Sequence, residues 1–296
     1  MRAFVLILIL SLPASCTASA GQKHQFLVTT DWVAERLGSS QLVLLHVGSE
    51  EEYREAHLPG AVFVDRSALS TPHEEGGIVL EMPSVDQLES AFEAAGVSDD
   101  SWIVIYWGVN WISPSARVYL TLDYLGMGER TFLLDGGMPS WVSEGRETTT
   151  IIPRPPRGNF TPRPRNDVLV DLQWVREHLN DRNVQLIDSR NREFYTSEKK
   201  GNASRAGHLP GATSVPYHEM VDESLKFKPA QELQRLLTEG GMNEGKTAIS
   251  YCHIGQQACV TYLVARSLGF DARMFDGSMN EWSRHEELPL VSETGQ

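Results

Sequence analysis

Residues 57–61 read HLPGA, and residues 208–212 repeat this pentapeptide letter for letter. Further segments recur at a spacing of roughly 140–150 residues, which is the signature of a duplicated domain. WVAERL at 32–37 aligns with WVREHL at 174–179, IVIY at 103–106 with AISY at 248–251, and DGGMPSW at 135–141 with DGSMNEW at 276–282. The chain is therefore predicted to contain two copies of one domain.

Each copy alternates short runs rich in β-branched residues with amphipathic stretches of helical period. This pattern is typical of a parallel sheet covered by helices on both faces, so we predict an α/β fold with two such domains. In the first copy the predicted strands are 42–47, 62–64, 102–106 and 131–134, and the predicted helices are 31–37, 86–95 and 113–125.

The segment between the two copies has an unusual composition, because residues 153–165 contain five prolines and four arginines. Such a segment forms neither a regular helix nor a central strand and is expected to run extended. We therefore predict domains at 25–147 and 167–296, joined by a connector at 148–166. Its arginines would either pair with acidic groups of the domains or remain solvated.

The first 20 residues are predicted to be a signal peptide. An apolar run at 4–12 is too short to span a bilayer as a helix, and the small residues at 18–20 suit a processing peptidase. Cys16 leaves a lipid anchor open as an alternative, although Pro13 does not suit that pattern. We expect an exported protein, periplasmic or secreted, with no membrane span.

Charge and cysteine content exclude several classes of function. Without residues 1–20 the chain carries 25 basic and 39 acidic side chains, a net charge of −14, so nucleic acid would repel it. Only Cys252 and Cys259 then remain, which are too few for a disulfide scaffold and lack the spacing of metal ligands. We expect a monomer that acts on small molecules and needs no metal or cofactor.

Cys252 follows a predicted buried strand and precedes an apolar helical stretch that ends near Gly269. At the carboxyl end of a parallel strand, a tight loop that enters a helix directs main-chain N–H groups inward, and the helix dipole favours an anion there. A cysteine in such a loop is biased towards the nucleophilic thiolate. A lone cysteine is otherwise more often a small buried apolar residue, which is the interpretation we prefer for Cys259.

Together these features resemble the two-domain (tandem) rhodanese family over nearly all of the chain after the predicted signal peptide. The matching segments are LIDSR at 186–190, GHLPGA at 207–212, YC at 251–252, and DGS at 276–278 followed by Trp282. The resemblance implies thiosulfate sulfurtransferase activity. A cysteine thiolate takes the outer sulfur of a donor such as thiosulfate, releases sulfite, and passes the sulfur to cyanide or another thiophilic acceptor.

Carried over residue by residue, the resemblance makes Cys252 the catalytic nucleophile. The amides of the loop after it would cradle the persulfide, Arg190 would bind the anionic donor, and Arg205 would be a weaker second anion binder. An ion pair for Arg190 and a solvated surface position for Arg205 are the structural alternatives. The substrate-binding residues implied are Arg190, His253, Ile254, Gly255, Gln256, Gln257 and Arg205.

The first copy provides an internal control for these assignments. The position that matches Cys252 is Trp107, and the position that matches Arg190 is Gly48. The first domain is therefore predicted to be catalytically inactive. A histidine of the HLPGA pentapeptide occurs in both copies, as His57 and His208, so we expect it to shape a turn and not to act as a base.

Other functions remain as alternatives. Cysteine phosphatases and related arsenate reductases need an arginine six positions after the cysteine, where this chain has Ala258. A non-enzymatic persulfide carrier or partner-binding module stays open, as does mercaptopyruvate as the donor, because residues 253–257 match the pattern of neither donor. A thiol-redox role is weaker, since Cys252 and Cys259 would lie about two helical turns apart.

Overall fold

The computed structural model describes residues 25–72, 74, 77–108 and 111–293. The predicted signal peptide, including Cys16, lies outside these residues. They form two α/β domains, and each is built on a five-stranded sheet whose paired strands are all parallel. This architecture confirms the predicted fold class.

In the first domain the strands are β1 (Leu27–Val28), β2 (Leu42–Val47), β3 (Val62–Phe63), β4 (Trp102–Trp107) and β5 (Thr131–Leu134). The helices are α1 (Thr30–Ala34), α2 (Glu50–Glu55), α3 (Val85–Ala94), α4 (Ser113–Tyr124) and α5 (Gly137–Ser143), with 3-10 helices at Arg66–Leu69 and Gly128–Arg130. The strand order is β1-β5-β4-β2-β3.

The second domain repeats this order as β6-β10-β9-β7-β8. Its strands are β6 (Leu169–Val170), β7 (Val184–Asp188), β8 (Thr213–Ser214), β9 (Thr247–Tyr251) and β10 (Asp271–Phe275). Its helices are α6 (Leu172–His178), α7 (Arg192–Tyr195), α8 (Ala230–Glu239), α9 (Ala258–Ser267) and α10 (Ser278–Trp282), with a 3-10 helix at Tyr217–Met220.

Alternating side chains of the central strands enter different cores. In β2, Leu44 belongs to a core cluster confined to the first domain, whereas Leu45 belongs to a cluster that also contains Ile187 of the second domain. Successive strand residues face opposite sides of a sheet, so one face of each sheet contributes to a core that the domains share. Helices α4 and α9 pack against each other across this shared core.

The observed elements differ from the sequence prediction mainly at their ends. The first helix ends at Ala34 instead of Leu37, because the following turn tightens into bonds from Arg36 N–H to Val33 O and from Leu37 N–H to Ala34 O. The strand predicted at 62–64 ends at Phe63, although Val64 N–H still donates to His46 O at 2.9 Å.

Polar contacts join the domains near the shared core. The Tyr262 hydroxyl on α9 donates to Asp123 Oδ2 on α4 at 2.5 Å, and Arg165 Nη1 donates to Asp123 Oδ1 at 2.6 Å. Residues 151–165 form no helix or strand, and Arg157 pairs with Glu93 of the first domain at 2.7 Å. Two of the connector arginines are therefore paired with acidic groups. No helix within the described ranges is long and apolar enough to cross a membrane.

Candidate active site

Cys252 directly follows strand β9 and begins a loop, residues 252–257, that leads into helix α9; we call it the cysteine loop. Residues 276–280, which follow β10, hold the start of this loop through three hydrogen bonds. Cys252 N–H donates to Ser278 Oγ at 3.1 Å, Met279 N–H donates to Cys252 O at 3.0 Å, and Asn280 N–H donates to His253 O at 2.8 Å. The DGS motif thus positions the cysteine.

A side chain of the first domain holds the middle of the cysteine loop. Arg117 on α4 donates from Nη1 to Gly255 O at 3.0 Å and to Asp276 Oδ1 at 2.5 Å, and from Nη2 to Leu80 O at 2.8 Å. Gly255 has φ +71, and a Cβ there would lie 2.4 Å from Asp276 O. The loop therefore requires glycine at this position both for its backbone angle and for the close approach.

The carbonyls held in this way set the direction of the amides. Across a trans peptide the C=O and the next N–H point in opposite directions. The carbonyls of Cys252, His253 and Gly255 are bound by Met279 N–H, Asn280 N–H and Arg117, so the N–H group that follows each carbonyl points away from that partner. Among the described residues, none accepts a hydrogen bond from the main-chain N–H of any residue from His253 to Gln257. Five main-chain donors of the cysteine loop are thus unpaired within the described part of the chain.

Cys252 lies at an interdomain pocket of about 450 Å³, although the residue itself is fully buried. The second domain lines this pocket with Cys252, His253, Ile254, Gln256 and Gln257. The first domain lines it with Arg66, Ser67, Ser70, Val79, Leu80 and Trp111. The nucleophile predicted from the sequence therefore lies at a pocket that the first copy of the repeat also lines.

Arg190 follows the end of strand β7 and is 1% exposed. Its Nε and Nη2 bind the Asp188 carboxylate, with Nη2 to Oδ2 at 2.6 Å, and Nη2 also donates to Gly207 O at 2.8 Å. Burial opposes its charge, but the ion pair with Asp188 prevails and raises the pKa of Arg190. The guanidinium is near enough to interact electrostatically with Cys252. Arg190 is not among the described residues that line the pocket.

Arg205 is held by the C-terminal segment of the domain. Its Nε, Nη1 and Nη2 donate to the carbonyls of Ser283, Leu288 and His285 at 3.0, 3.0 and 2.6 Å. Each of its three guanidinium nitrogens thus has a main-chain acceptor. Arg205 also lies outside the set of described residues that form the wall of the interdomain pocket.

The His253 imidazole lies between two cavities. It lines the interdomain pocket and a second pocket of about 330 Å³, and it packs edge-on against Phe194 with ring centroids 4.5 Å apart. Burial, followed by the charge of Arg190, lowers the pKa of His253 to about 4. The imidazole is therefore neutral at pH 7.

The repeated histidines make matching contacts with a tyrosine in each domain. His208 stacks on Tyr195 at 3.8 Å and pairs through Nδ1 with Tyr195 O at 2.8 Å. His57 does the same with Tyr53, at 4.0 and 2.6 Å. The same stacking and carbonyl contact in both domains gives a structural reason for the presence of the histidine in both copies.

Cys259 lies in α9 and is fully buried, with its thiol donating to Gly255 O at 3.1 Å. Burial raises the pKa of Cys259 to about 12, so the sulfur is a thiol at neutral pH. Both Cys252 and Cys259 are free cysteines in the structure. The structural role predicted for Cys259 agrees with this placement.

The strand register confirms how the two copies correspond. His46 pairs with Tyr106 between β2 and β4, and Asp188 pairs with Tyr251 between β7 and β9. The next residue along β4 is Trp107, which occupies the place of Cys252. Its indole is fully buried, and a Cβ on Gly137 would lie 2.6 Å from it. A large apolar side chain therefore fills the position of the cysteine in the first domain.

The sequence prediction contained none of the first-domain residues at the site, among them Arg66, Trp111 and Arg117. One available signal pointed to Arg117, because it is a lone cation within the apolar pattern of the helix predicted at 113–125. For Arg66 and Trp111 the sequence held no signal, since their proximity to Cys252 depends on how the domains pack.

Comparison with known proteins agrees with this geometry. The rhodanese-like domain family matches residues 29–144 and 171–285. The chain is 29% identical over 260 residues to a thiosulfate sulfurtransferase of Azotobacter vinelandii, covering 86% of this chain and 93% of that protein. It is 29% identical over 289 residues to a sulfur carrier protein of Thermus thermophilus, covering 92% and 98%.

A solved structure shares the fold along most of its length. The crystal structure of an Escherichia coli protein, described with the catalytic mechanism of 3-mercaptopyruvate sulfotransferases, superposes with a TM-score of 0.76 at 26% identity. The match covers 86% of this chain and 98% of that one. The family model matches two domains, the parallel sheet is repeated, and the cysteine loop lies at the end of a central strand. This chain therefore belongs to the rhodanese family, with two rhodanese-like domains in tandem.

Proposed function

We propose that this protein is a sulfurtransferase that carries sulfur as a persulfide on Cys252, taking it from thiosulfate and delivering it to cyanide or another thiophilic acceptor. The observation that carries the proposal is the set of unpaired main-chain donors from His253 to Gln257, next to the only cysteine that lines the described part of the pocket. Such donors stabilise a charged sulfur atom at the N-terminus of the ten-residue helix α9.

The reaction has two steps. The Cys252 thiolate attacks the outer sulfur of thiosulfate, a new S–S bond forms, and the old S–S bond breaks with its electron pair leaving on sulfite. The acceptor then attacks the outer sulfur of the persulfide, and Cys252 leaves as thiolate with the electron pair of the S–S bond. Nucleophilic catalysis through a covalent intermediate predicts ping-pong kinetics.

Arg190 supports this chemistry through its charge. Its positive charge interacts with Cys252, while its ion pair with Asp188 and its bond to Gly207 O fix the guanidinium in place. We propose that this fixed positive charge stabilises the negative charge that develops on sulfur during the transfer. Direct contact with the donor would require Arg190 to release part of this network.

The first domain is proposed to be inactive in sulfur transfer. Residues 25–147 contain no cysteine, and Trp107 and Gly48 occupy the positions of Cys252 and Arg190. We also propose that the protein is exported after removal of residues 1–20 and acts as a monomer. Cell fractionation with N-terminal sequencing tests export, and light scattering tests the oligomeric state.

The decisive experiment is intact-mass measurement after incubation with thiosulfate. The wild-type protein should gain one sulfur atom and release one sulfite, the Cys252→Ser variant should gain none, and the Cys259→Ser variant should load like the wild type. Loading that persists in Cys252→Ser would contradict the assignment of the nucleophile. Absence of any added sulfur on the wild type would contradict the proposed function with this donor.

Mercaptopyruvate is the second candidate donor, because the Escherichia coli relative that covers this chain so fully is described with 3-mercaptopyruvate chemistry. Both donors are small anions with a transferable sulfur, and both would leave the same persulfide on Cys252. Turnover with each donor, compared as kcat/KM, decides between them. A protein that loads with sulfur but turns over neither donor would fit the carrier alternative.

A further inference from the structure

The charge on the wall of the interdomain pocket comes from one side chain. Of the described residues that line it, Arg66 alone is an arginine, lysine, aspartate or glutamate. His253 is neutral at pH 7 because burial, with the charge of Arg190, lowers its pKa to about 4. The remaining lining is apolar or uncharged. The pocket therefore presents one formal positive charge, that of Arg66, to a ligand.

The other two arginines near the cysteine loop are already paired with carboxylates. Arg190 is paired with Asp188, and Arg117 is paired with Asp276, with both arginines nearly inaccessible to solvent. Arg66 differs from both. Within the described ranges no carboxylate lies within ion-pair distance of it, and its guanidinium donates to no protein acceptor. Its planar array of N–H groups is therefore free to bind an anion.

The position of Arg66 is supported locally. It begins a 3-10 helix, Arg66–Leu69, whose start is capped by Asp65 Oδ1 accepting from Ser67 N–H at 2.9 Å. Its guanidinium carbon lies 5.8 Å from the ring centroid of Trp111, which is within cation–π range. Trp111 is 48% exposed, so the pair forms the rim of the pocket on the side of the first domain.

We propose that Arg66, supplied by the first domain, binds the anionic end of the sulfur donor while Cys252 attacks its transferable sulfur. The inference rests on the proposed function and names the residue that selects the donor. The ligand chemistry is a small anion, either the sulfonate-like group of thiosulfate or the carboxylate of mercaptopyruvate. In the thiosulfate reaction the departing sulfite takes the electron pair, and a guanidinium beside it favours that departure.

In this arrangement the first domain contributes to donor binding although it has no cysteine of its own. The second domain carries the sulfur, and the first domain supplies the cation that recognises the donor. Because the two half-reactions involve different partners, replacement of Arg66 should lower kcat/KM for the donor and leave kcat/KM for a neutral acceptor unchanged. Ping-pong kinetics separate these two effects.

The test is steady-state kinetics of Arg66→Met with thiosulfate and with mercaptopyruvate as donors, and with dithiothreitol, a neutral thiol, as acceptor. Loss of one charge-assisted contact should lower kcat/KM about 10- to 100-fold for whichever donor the wild type uses. The kcat/KM for dithiothreitol should stay within about twofold of wild type. Arg66→Lys, which keeps the charge, should recover a part of the loss. Added salt should lower the donor kcat/KM of the wild type more than that of Arg66→Met.

Arg54→Met is the matched control, because Arg54 is an exposed arginine of the same domain that pairs with Glu50 away from the pocket. It should behave as wild type in every measurement. Normal sulfur loading of the wild type with unchanged donor kinetics in Arg66→Met would overturn this inference alone. Equal losses for donor and acceptor would also overturn it, since they would indicate a structural role. A wild type that accepts sulfur from neither donor would overturn the proposed function and the inference with it.

Discussion

Arg117 joins the two domains at the cysteine loop, and its replacement by methionine should affect both stability and sulfur loading. The side chain is 9% exposed and its partner Asp276 is 17% exposed. In Arg117→Met the carboxylate keeps only the Met82 N–H, at 3.0 Å, and Gly255 O keeps only the Cys259 thiol. The substitution thus leaves a mostly buried carboxylate without its counter-ion.

The expected loss of stability follows from that geometry. Removing one partner of a buried ion pair costs about 3–5 kcal/mol. Since Asp276 retains one main-chain donor, we expect the lower end, about 3 kcal/mol, in the free energy of unfolding. The pair Arg54–Glu50, exposed at 63% and 60%, gives the comparison, because Arg54→Met should cost less than about 0.5 kcal/mol.

The assay combines urea unfolding followed by circular dichroism with the rate of sulfur loading followed by mass. A displaced Gly255 would turn the Gln256 N–H away from the sulfur, so loading by thiosulfate should slow about tenfold, equivalent to roughly 1.4 kcal/mol in the barrier. A double-mutant cycle with Asp276→Asn should give a coupling of about 1 kcal/mol or more. A stability loss below about 1 kcal/mol, or unchanged loading, would refute the role given to Arg117.

Three further outcomes are expected. Gly255→Ala should destabilise the protein more than Gly245→Ala and should abolish sulfur loading. A Cβ at Gly255 would lie 2.4 Å from Asp276 O, whereas Gly245, at φ +85, has open space around it. Gly245→Ala should cost about 1–2 kcal/mol in the free energy of unfolding, and equal losses for the two variants in urea unfolding would contradict the steric argument. Cys259→Ala should keep full thiosulfate turnover, since the high pKa of that thiol leaves it unreactive at neutral pH; loss of turnover with stability retained would argue against this. The pKa of His253 is about 4 in the folded protein against an ordinary value of 6.5, so its contribution to stability is complete above pH 6.5 and declines as pH falls towards 4. The free energy of unfolding of His253→Gln should therefore fall less than that of the wild type between pH 6.5 and 4. Parallel curves of the free energy of unfolding against pH for the two proteins would exclude the effect.

Much of the fold was predictable because it depends on local patterns. The alternation of apolar runs with helical stretches gave the strands at 42–47 and 131–134 with their observed bounds. The same locality limits the prediction at element ends. The turn after Ala34 tightens through i to i−3 bonds, and such endings depend on the packing of the last turn, which a periodic pattern does not report.

Predictions about single residues depended on whether their partners were near in sequence. Cys252 was identified from its loop, which is a local feature. For Arg190 the sequence leaves donor binding and an ion pair open, and the structure pairs it with Asp188, two residues earlier, at a buried strand end. Arg205 is bound by three carbonyls between 78 and 83 residues away, and a distant main-chain acceptor leaves no mark on the sequence around the arginine.

By itself, then, the amino-acid sequence determined the duplication, the parallel α/β class and the cysteine at the end of a central strand, because repeats, periodicity and strand-loop-helix order are written along the chain. Only the tertiary structure decided which charges face that cysteine. Arg66 and Arg117 belong to one copy of the repeat and the cysteine loop to the other. They meet because the apolar faces of α4 and α9 pack together, and that pairing is a property of the folded surfaces in three dimensions.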